Sequence, residues 1–399
     1  MKAYDVIVIG SGLVGVASAY ELAKAGRSVA LLDSGGLSAG ASAANTGLLL
    51  FEGLEAGVTW DLCMASLERF KHLEQELEMP FGFGKMNFLG FFTQEQERAV
   101  AAKRKKFYEP FGFRYELLSP EEVRSLEPAL HLEKEMGGAY YTQWVMDPLR
   151  LVYAYFRKAV QLGTQWYSHT KAVGFEQDNG RIRGVITDKG EVIRGKKIVV
   201  AAGAWSTELL KSLHIQLPQF YIQGACMVME RSKMLLRHTV STFTSPRLEM
   251  EHRAGQLLKE GTAWEKLPEL NANEFIIVPD TNGNHLVAQR SCISPGWIQN
   301  VPHEFLRDMC RNVSEYFPAL RQTRVIRSWI TPVPFVPDGN PFWGALEPYN
   351  NVIMATGFGS VLIMAPMIGT VTKELVLGEP VKYDLTEFDP NRSMKEMGR

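Results

Sequence analysis

The chain opens with an apolar run, Tyr4-Asp5-Val6-Ile7-Val8-Ile9, which leads directly into the glycine-rich stretch Gly10-Ser11-Gly12-Leu13-Val14-Gly15. An apolar-periodic segment continues to Gly26, and a second apolar run, Ser28-Val29-Ala30-Leu31-Leu32, ends at Asp33. This order predicts a strand, a glycine turn, a helix, a second strand and an acidic residue. The glycine spacing and the distance to the acid are those of a dinucleotide-binding βαβ unit.

The residues of this unit have separate physical roles. Gly10 permits the tight turn, Gly12 lets the backbone approach a pyrophosphate, and Gly15 lets the helix pack close to the sheet. The phosphates would lie at the helix N-terminus, where free N–H groups and the positive end of the dipole favour negative charge. Asp33 stands at the spacing expected of the carboxylate that binds a ribose hydroxyl.

A secretory signal peptide is the competing interpretation of the same segment. Val6 to Ala19 is apolar, and Ala17-Ser18-Ala19 imitates a cleavage site. Against it, Lys2 is the only basic residue before the run, and Asp5 stands where a signal peptide is positively charged. We therefore expect no signal peptide.

Composition restricts the class of protein. The chain has 399 residues, 46% of them hydrophobic, and a formal net charge of −1, which gives no electrostatic reason to expect nucleic acid or an anionic membrane as partner. The longest apolar candidate for a membrane span, Val352 to Leu377, is interrupted by glycines, Pro366, Lys373 and Glu374. The four cysteines are scattered and form no CxxC, which favours a reducing, cytoplasmic compartment and predicts no metal site.

The predicted fold class is α/β, with an open parallel sheet assembled from separate segments and an inserted α+β domain. Alternating β-branched and aromatic residues, as in Glu274–Val278 and His285–Gln289, indicate that the inserted domain is built on an antiparallel sheet. Three segments are assigned to the dinucleotide-binding domain, namely 1–80, 147–215 and 323–385. The substrate domain is assigned residues 81–146 and 216–322.

Within the parallel-sheet segments, individual elements are predicted. A helix is expected from near Pro148 through Gln161, a single strand from Trp166 to Glu176, and a hairpin turn at Asp178-Asn179-Gly180. The apolar stretch Val361–Leu377 reads as a helix. Its N-terminus would present N–H groups to an electron-rich ligand atom.

Further along the chain, small residues recur where a backbone must approach a bulky ligand. Ser34–Gly47 consists almost entirely of Gly, Ala, Ser and Asn, and two apolar runs end in Ala201-Ala202-Gly203-Ala204-Trp205-Ser206 and in Ala355-Thr356-Gly357-Phe358-Gly359-Ser360. A late segment reads Trp329…Pro334-Phe335-Val336-Pro337-Asp338-Gly339-Asn340-Pro341, and Ala365-Pro366 follows.

This order of motifs resembles the D-amino-acid oxidase family of FAD-dependent oxidoreductases, which includes glycine oxidase, sarcosine oxidase and the catalytic subunits of opine, proline and hydroxyproline dehydrogenases. The resemblance extends over nearly the whole chain. It implies a glutathione-reductase-type, Rossmann-like FAD-binding domain, with an antiparallel sheet above the flavin and the substrate between them. It also implies oxidation of a C–N bond by hydride transfer from Cα to flavin N5, after which the imine is hydrolysed.

The resemblance, together with the motifs, predicts a set of cofactor-binding residues: Gly10, Gly12, Leu13, Val14, Gly15, Asp33, Ser34, Ala41, Ser42, Asn45, Thr46, Gly47, Leu48, Val173, Ala202, Gly203, Trp205, Gly357, Gly359, Ser360, Val361, Leu362 and Ile363. Noncovalent FAD is expected, because no cysteine stands in the Pro337-Asp338-Gly339 segment, where sarcosine oxidases of this family attach the flavin.

The chain departs from the family where many members carry an Arg that grips the substrate carboxylate. Here that place is Val333, before Pro334. The remaining candidates for substrate contact are Arg247, Arg290, His252 and His285, with Tyr141, Tyr221 and Phe243 as aromatic walls of the pocket. The missing Arg argues against a plain D-amino-acid or glycine oxidase and favours a larger substrate with an added polar group, such as an opine or an N-alkyl amino acid.

Three functions therefore stay open at this point. The first is FAD-dependent oxidation of an amine or amino acid. The second is oxidation of a C–OH bond in a hydroxy acid or polyol phosphate. The third is a flavin subunit that passes electrons to an iron–sulfur subunit, or to a second flavin or NAD-type subunit, within a hetero-oligomer.

Overall fold

The computed structural model describes residues 3–49, 51, 54–134, 136–233, 236–280, 282–294, 297–359 and 361–392. Its strands in chain order are β1 (Ala3–Ile9), β2 (Val29–Leu32), β3 (Leu48–Leu49), β4 (Gly84–Phe91), β5 (Tyr115–Leu118), β6 (Gly138–Val145), β7 (Gln165–Tyr167), β8 (Ala172–Asp178), β9 (Arg181–Thr187), β10 (Val192–Val200), β11 (Phe220–Met229), β12 (Thr239–Thr242), β13 (Leu270–Pro279), β14 (His285–Ile293), β15 (Val325–Phe335), β16 (Phe342–Leu346) and β17 (Tyr349–Thr356). Its α-helices are α1 (Leu13–Lys24), α2 (Val58–Glu76), α3 (Gln96–Tyr108), α4 (Pro120–Leu126), α5 (Pro148–Gln161), α6 (Ser206–Leu210), α7 (Pro246–Lys259), α8 (His303–Tyr316) and α9 (Val361–Leu377).

The first sheet has the strand order β16-β17-β10-β1-β2-β7, and β9 adds the hairpin strand β8 alongside β10. β1 pairs in parallel with β10 on one side and β2 on the other. Val6 and Val8 join one hydrophobic core, whereas Ile7 and Ile9 join another on the opposite face. Burial on both faces explains why β1 reads as a nearly continuous apolar run.

α1 lies against this sheet and contacts both α5 and α9. Its approach to the glycine turn is very close, because a Cβ on Gly15 would lie 1.8 Å from the carbonyl oxygen of Gly10. α9 is equally close, since a Cβ on Gly369 would lie 2.7 Å from the carbonyl oxygen of Ala17. The Arg69 guanidinium on α2 binds Glu21 on α1 at 2.7 Å and donates to the Pro366 carbonyl on α9 at 3.2 Å.

Most of the predicted elements of the first sheet are confirmed. α5 and α9 match the predicted helices, and the β8–β9 hairpin turns at Asn179 and Gly180, both with positive φ. The single strand predicted from Trp166 to Glu176 is wrong, because the chain forms β7 and β8 with a break between them. In that break the amides of His169 and Thr170 donate to the carbonyls of Gly35 and Asp33, so the segment binds the loop that follows β2.

The second sheet has the order β15-β11-β14-β13-β12-β4-β6-β3, with β5 beside β6. Its pairings are antiparallel except that β12 runs parallel to β4. β3 and β15 belong to this sheet, although the predicted boundaries placed residues 1–80 and 323–385 with the dinucleotide-binding domain. Elsewhere the division of the chain into two domains stays a prediction that agrees with sheet membership.

The four cysteines are free thiols. Burial raises the pKa of Cys63 and of Cys226 to about 12, so both are protonated near neutral pH. In the described ranges, no group of acidic, histidine and cysteine side chains could hold a metal ion. Nor does that part of the chain contain a helix long and apolar enough to cross a membrane.

The contact between α1 and the glycine turn gives a stability prediction. Gly15→Ala should lower the free energy of unfolding by about 2–3 kcal/mol, because the added methyl group meets a backbone carbonyl that cannot move aside. Helix propensity alone would instead favour alanine by about 1 kcal/mol, so the sign of the change is diagnostic. Urea denaturation of the apoprotein measures it. Gly36→Ala, where the new methyl group meets no atom within 4 Å, is the control.

Candidate cofactor and substrate site

One large cavity of about 770 Å³ lies between the two sheets. On one side it is lined at the carboxyl ends of the first sheet's strands, by Ile9, Ala201 and Ala355. On the other side it is roofed by one face of the second sheet. Ligands of open α/β sheets bind in this position, outside the carboxyl ends of the strands.

The glycine turn forms the floor of the cavity. Gly10 and Gly12 line it, and Cβ atoms there would lie 2.4 Å from the Ala201 carbonyl oxygen and 3.0 Å from Ser42 Oγ. Leu13 and Val14 also line it, at the N-terminus of α1. Gly15 does not line the cavity, and its role is the close packing of α1 described above. The turn therefore offers bare backbone and helix N–H groups, which suit a phosphate.

Asp33 is held at the cavity wall by three donors. Its Oδ2 accepts from the Ser11 amide and the Ser11 hydroxyl, each at 2.7 Å, and its Oδ1 accepts from the Gly35 amide at 2.9 Å. These bonds fix the carboxylate and occupy both acceptor sites of Oδ2, whereas Oδ1 keeps capacity for a further hydrogen bond. Asp33 is thus a candidate for binding a ribose hydroxyl through Oδ1.

The small-residue loop after β2 wraps the N-terminus of α1. Ser42 Oγ accepts from the Leu13 amide at 2.9 Å, which satisfies one of the helix's unpaired donors. The Ala44 carbonyl accepts from the Trp329 indole at 2.9 Å, which ties the loop to β15 of the second sheet. Predicted loop residues that line the cavity are Ser34, Ala41, Ser42, Asn45, Thr46 and Leu48. Gly47 does not line it. It has a φ of 77°, and a Cβ there would lie 2.2 Å from the Met146 carbonyl oxygen, so its role is structural.

The remaining predicted cofactor residues lie along the same cavity. Val173, Ala202, Gly203 and Trp205 line it near the ends of β8 and β10. At its other end the lining residues are Gly357, Gly359, Val361, Leu362 and Ile363, which bring the N-terminus of α9 to the wall. Ser360 lies outside the described residues. These residues fit an extended flavin dinucleotide, with phosphates at the α1 N-terminus and an electron-rich ring edge at the α9 N-terminus.

The predicted substrate contacts divide into two groups. Arg247, Tyr141 and Phe243 line the cavity, as does Val333, the residue at the place of the family arginine. The other four candidates do not line it, and three of them contact residues elsewhere. They are Arg290, which bonds Asp308 and the Ala272 carbonyl; Tyr221, which stacks on Trp297; His285, which bonds Ser232; and His252, which is exposed on α7.

Arg247 lies in the first turn of α7, where it bonds to one carboxylate and lies near a second. Its Nη1 donates to Glu251 one turn later, and its Nε lies 3.9 Å from Glu274 Oε2. Burial lowers the pKa of Arg247 from its usual value, and the nearby Glu274 opposes that shift. The two contacts use Nη1 and Nε, which leaves Nη2 for a ligand oxygen.

Several polar cavity residues were not predicted from the sequence, namely Arg104, Glu251, Glu274 and Gln289. Arg104 stands among Lys103, Lys105 and Lys106, and this basic run gives no sign of which side chain turns inward. Glu251 could have been found, because a residue four positions after Arg247 shares its helix face. Glu274 gave no such signal. The four residues that follow it are all apolar, so the sequence does not show which face of the strand turns toward the cavity.

The Asp33 geometry gives a binding prediction. Asp33→Asn should weaken FAD binding about 10- to 100-fold, because a hydrogen bond to a charged group contributes about 1.5–3 kcal/mol. Flavin fluorescence during titration of the apoprotein measures it. FMN, which lacks the adenosine half, is the internal control, and its affinity should stay within about twofold. An equal loss of affinity for FAD and FMN would show that Asp33 does not bind the adenosine ribose.

Comparison with known proteins agrees with this geometry. Glycine oxidase of Bacillus licheniformis is 25% identical over 400 residues, which cover 97% of this chain and 96% of that protein. Mitochondrial dimethylglycine dehydrogenase of Mus musculus is 25% identical over 97% of this chain, which corresponds to 44% of the longer enzyme. The crystal structure of glycine oxidase from Geobacillus kaustophilus, 22% identical, superposes with a TM-score of 0.84 over 98% of this chain and 99% of that one, which establishes the fold. Residues 5–375 match the family model of the FAD dependent oxidoreductases (DAO), and the chain belongs to that family.

Proposed function

We propose that this protein oxidises a C–N bond of an amino acid or N-substituted amino acid, and that the resulting imine is hydrolysed. The observation that carries the proposal is one continuous cavity, which joins a dinucleotide cradle at one end to a roof that contains the half-buried guanidinium of Arg247 at the other. When bound, FAD would accept the hydride from the substrate. The names of the two relatives, glycine oxidase and dimethylglycine dehydrogenase, support this substrate class.

The residues of the roof would orient the substrate. Arg247 is our candidate for binding the substrate carboxylate, in place of the family arginine that is replaced by Val333. Glu251 fixes the guanidinium through Nη1 and so restricts its direction. Tyr141, stacked on Phe88 and on Tyr115 with centroids 5.0 and 5.1 Å apart, would form a rigid wall beside the reacting carbon. Such fixed groups supply the orientation that hydride transfer requires.

The apolar part of the roof would keep the reacting amine neutral. Phe88, Phe243, Ile276 and Val333 line this part of the cavity and exclude water from it. Desolvation disfavours an ammonium ion and lowers its pKa, so the amine can lose its proton before hydride transfer without a dedicated catalytic base.

We also propose that FAD is bound noncovalently and that the protein works in a reducing, cytoplasmic compartment. Cys226 is the cysteine that lines the cavity among the described residues, and its raised pKa leaves little of the nucleophilic thiolate. The four unpaired thiols support a reducing environment.

Substrate reduction of the flavin tests the main proposal. Anaerobic addition of D- and L-amino acids, N-methyl amino acids and opines should bleach the yellow holoprotein for at least one class, with release of an amine or ammonia. Bleaching only by hydroxy acids, with a keto product and no amine, would instead support C–OH oxidation.

The role of Arg247 is tested with variants on one helix. Arg247→Met should raise KM about 10- to 100-fold, because a charge-assisted hydrogen bond to the substrate carboxylate is lost. The KM of Arg247→Lys should lie between those of Arg247→Met and wild type, since lysine keeps the charge but not the guanidinium fork. Arg253→Met changes an exposed arginine of α7 and is the control. Unchanged KM in Arg247→Met would remove this residue from substrate binding.

A second candidate is a flavin subunit that delivers electrons to a partner subunit. Trp205 lines the cavity and is 43% exposed, and it stacks on Trp297, which is 46% exposed, with ring centroids 5.4 Å apart. Exposed tryptophan pairs are uncommon on a monomer and are typical of interfaces. This pair would place a partner beside the cofactor end of the cavity.

Reoxidation separates the two candidates. If the protein is a subunit that delivers electrons to a partner, its reduced flavin should be reoxidised slowly by air. Reoxidation by a one-electron dye should be at least about tenfold faster, because the natural acceptor is then a protein. Trp297→Ala should leave the rate of flavin reduction by substrate unchanged, since Trp297 does not line the cavity. Rapid reoxidation by air, accompanied by hydrogen peroxide, would identify an oxidase that needs no partner.

A further inference from the structure

The roof of the cavity contains a buried carboxylate that the proposed reaction does not use. Glu274 lies on β13, its side chain is 8% exposed, and it lines the cavity together with Ile276 two residues later. The pairing of β13 with β14 is irregular between Asn273 and Ile276, and both Glu274 and Ile276 line the cavity that the second sheet covers.

Arg247, which lies within 4 Å of Glu274, is already engaged, and Arg104, another arginine that lines the cavity, lies over the Phe243 ring. Arg247 Nε lies 3.9 Å from Glu274 Oε2, which is too long for a hydrogen bond, whereas Arg247 Nη1 donates to Glu251. Two carboxylates thus share one guanidinium, and the cluster carries one negative charge in excess. A buried carboxylate without a close partner is costly, so a ligand cation at this place would be strongly favoured.

FAD does not supply that cation, because the cofactor contributes negative phosphates and its cradle lies on the opposite side of the cavity. The reacting amine is also a poor partner. A carboxylate against it would stabilise the ammonium form and raise its pKa, whereas hydride transfer needs the neutral amine. The excess charge would therefore suit a second cationic group of the substrate.

We propose that Glu274, assisted by Glu251, binds a guanidinium or ammonium group on the side chain or N-substituent of the substrate. The substrate class is then a basic amino acid or a basic N-substituted amino acid, whose carboxylate meets Arg247 and whose distal cation meets Glu274. This inference rests on the proposed function and specifies its substrate. It also explains why Glu251 and Glu274 lie beside Arg247, although Arg247 would bind the carboxylate of the substrate as well.

Arginine and citrulline form the matched pair for the test, because the ureido group has nearly the shape of the guanidinium without its charge. Both enantiomers and their N-carboxymethyl derivatives are mixed anaerobically with the holoprotein, and flavin bleaching gives the substrate Kd and the rate of reduction. In wild type the guanidinium compound should bind at least about tenfold more tightly than its ureido partner. In Glu274→Gln that ratio should fall to about one, with the citrulline compound little affected.

Two further measurements keep the result independent of turnover and of folding. The flavin difference spectrum on titration with 5-guanidinopentanoate, compared with 5-ureidopentanoate, reports binding of compounds that have no α-amine to oxidise. Glu249→Gln, an exposed acid of α7, is the control variant and should keep the wild-type ratio.

The outcomes distinguish this inference from the proposed function. If amines reduce the flavin but arginine and citrulline compounds bind equally well to wild type, the cation site is overturned and the proposed function stands. A preference that survives in Glu274→Gln also overturns it. If no amine reduces the flavin, the proposed function fails, and the titration still decides whether the cavity binds a guanidinium. Should Glu274→Gln fail to fold, the wild-type ratio and Glu251→Gln decide the question.

Discussion

The contact between Gly15 and the Gly10 carbonyl sets how closely α1 packs on the end of β1. Because no side chain separates them, α1 begins directly after β1, and Leu13 and Val14 at its N-terminus line the cavity. The same helix is then enclosed by α5 and α9, and a second glycine contact, at Gly369, sets the distance to α9. Two close approaches therefore fix α1 and α9, and residues at the N-termini of both helices line the same cavity.

The second sheet shares a hydrophobic core with the first, since Val6 and Val8 of β1 lie in the same buried cluster as Phe88 and Tyr141, and hydrogen bonds also join the two sheets. Trp329 on β15 donates to the Ala44 carbonyl in the loop that also satisfies the Leu13 amide through Ser42. The loop thus connects the start of α1 to the roof of the cavity. Its composition follows from this position, because small residues are needed where a ligand, a helix end and a neighbouring sheet meet.

Sequence reasoning succeeded where a residue's role is decided by its immediate neighbours. The glycine motif, Asp33 and α9 all follow from local spacing, and the cavity contains nearly every cofactor residue expected from them. Sequence reasoning was weaker where contacts between distant segments of the chain decide which way a side chain points. Arg247 and Arg290 both lie in the predicted substrate region, yet only the packing of the second sheet shows that Arg290 turns to Asp308, whereas Arg247 lines the cavity. Glu274 was missed because the four residues that follow it, although β-branched or aromatic, are all apolar, so no polar side chain marks one face of the strand.

The charges of the cavity wall differ from end to end, and this difference bears on recognition. The cofactor end offers backbone donors and two helix N-termini, which favour anions. The roof combines Arg247 with Glu251 and Glu274, so it disfavours a simple anion and suits a ligand that carries both signs. In a site where solvent screens charges weakly, such a division would favour binding of the cofactor phosphates and of the substrate at opposite sides of the cavity. Replacement of the family arginine by Val333 is consistent with this arrangement, because a carboxylate bound by Arg247 brings the rest of the substrate against the acidic pair.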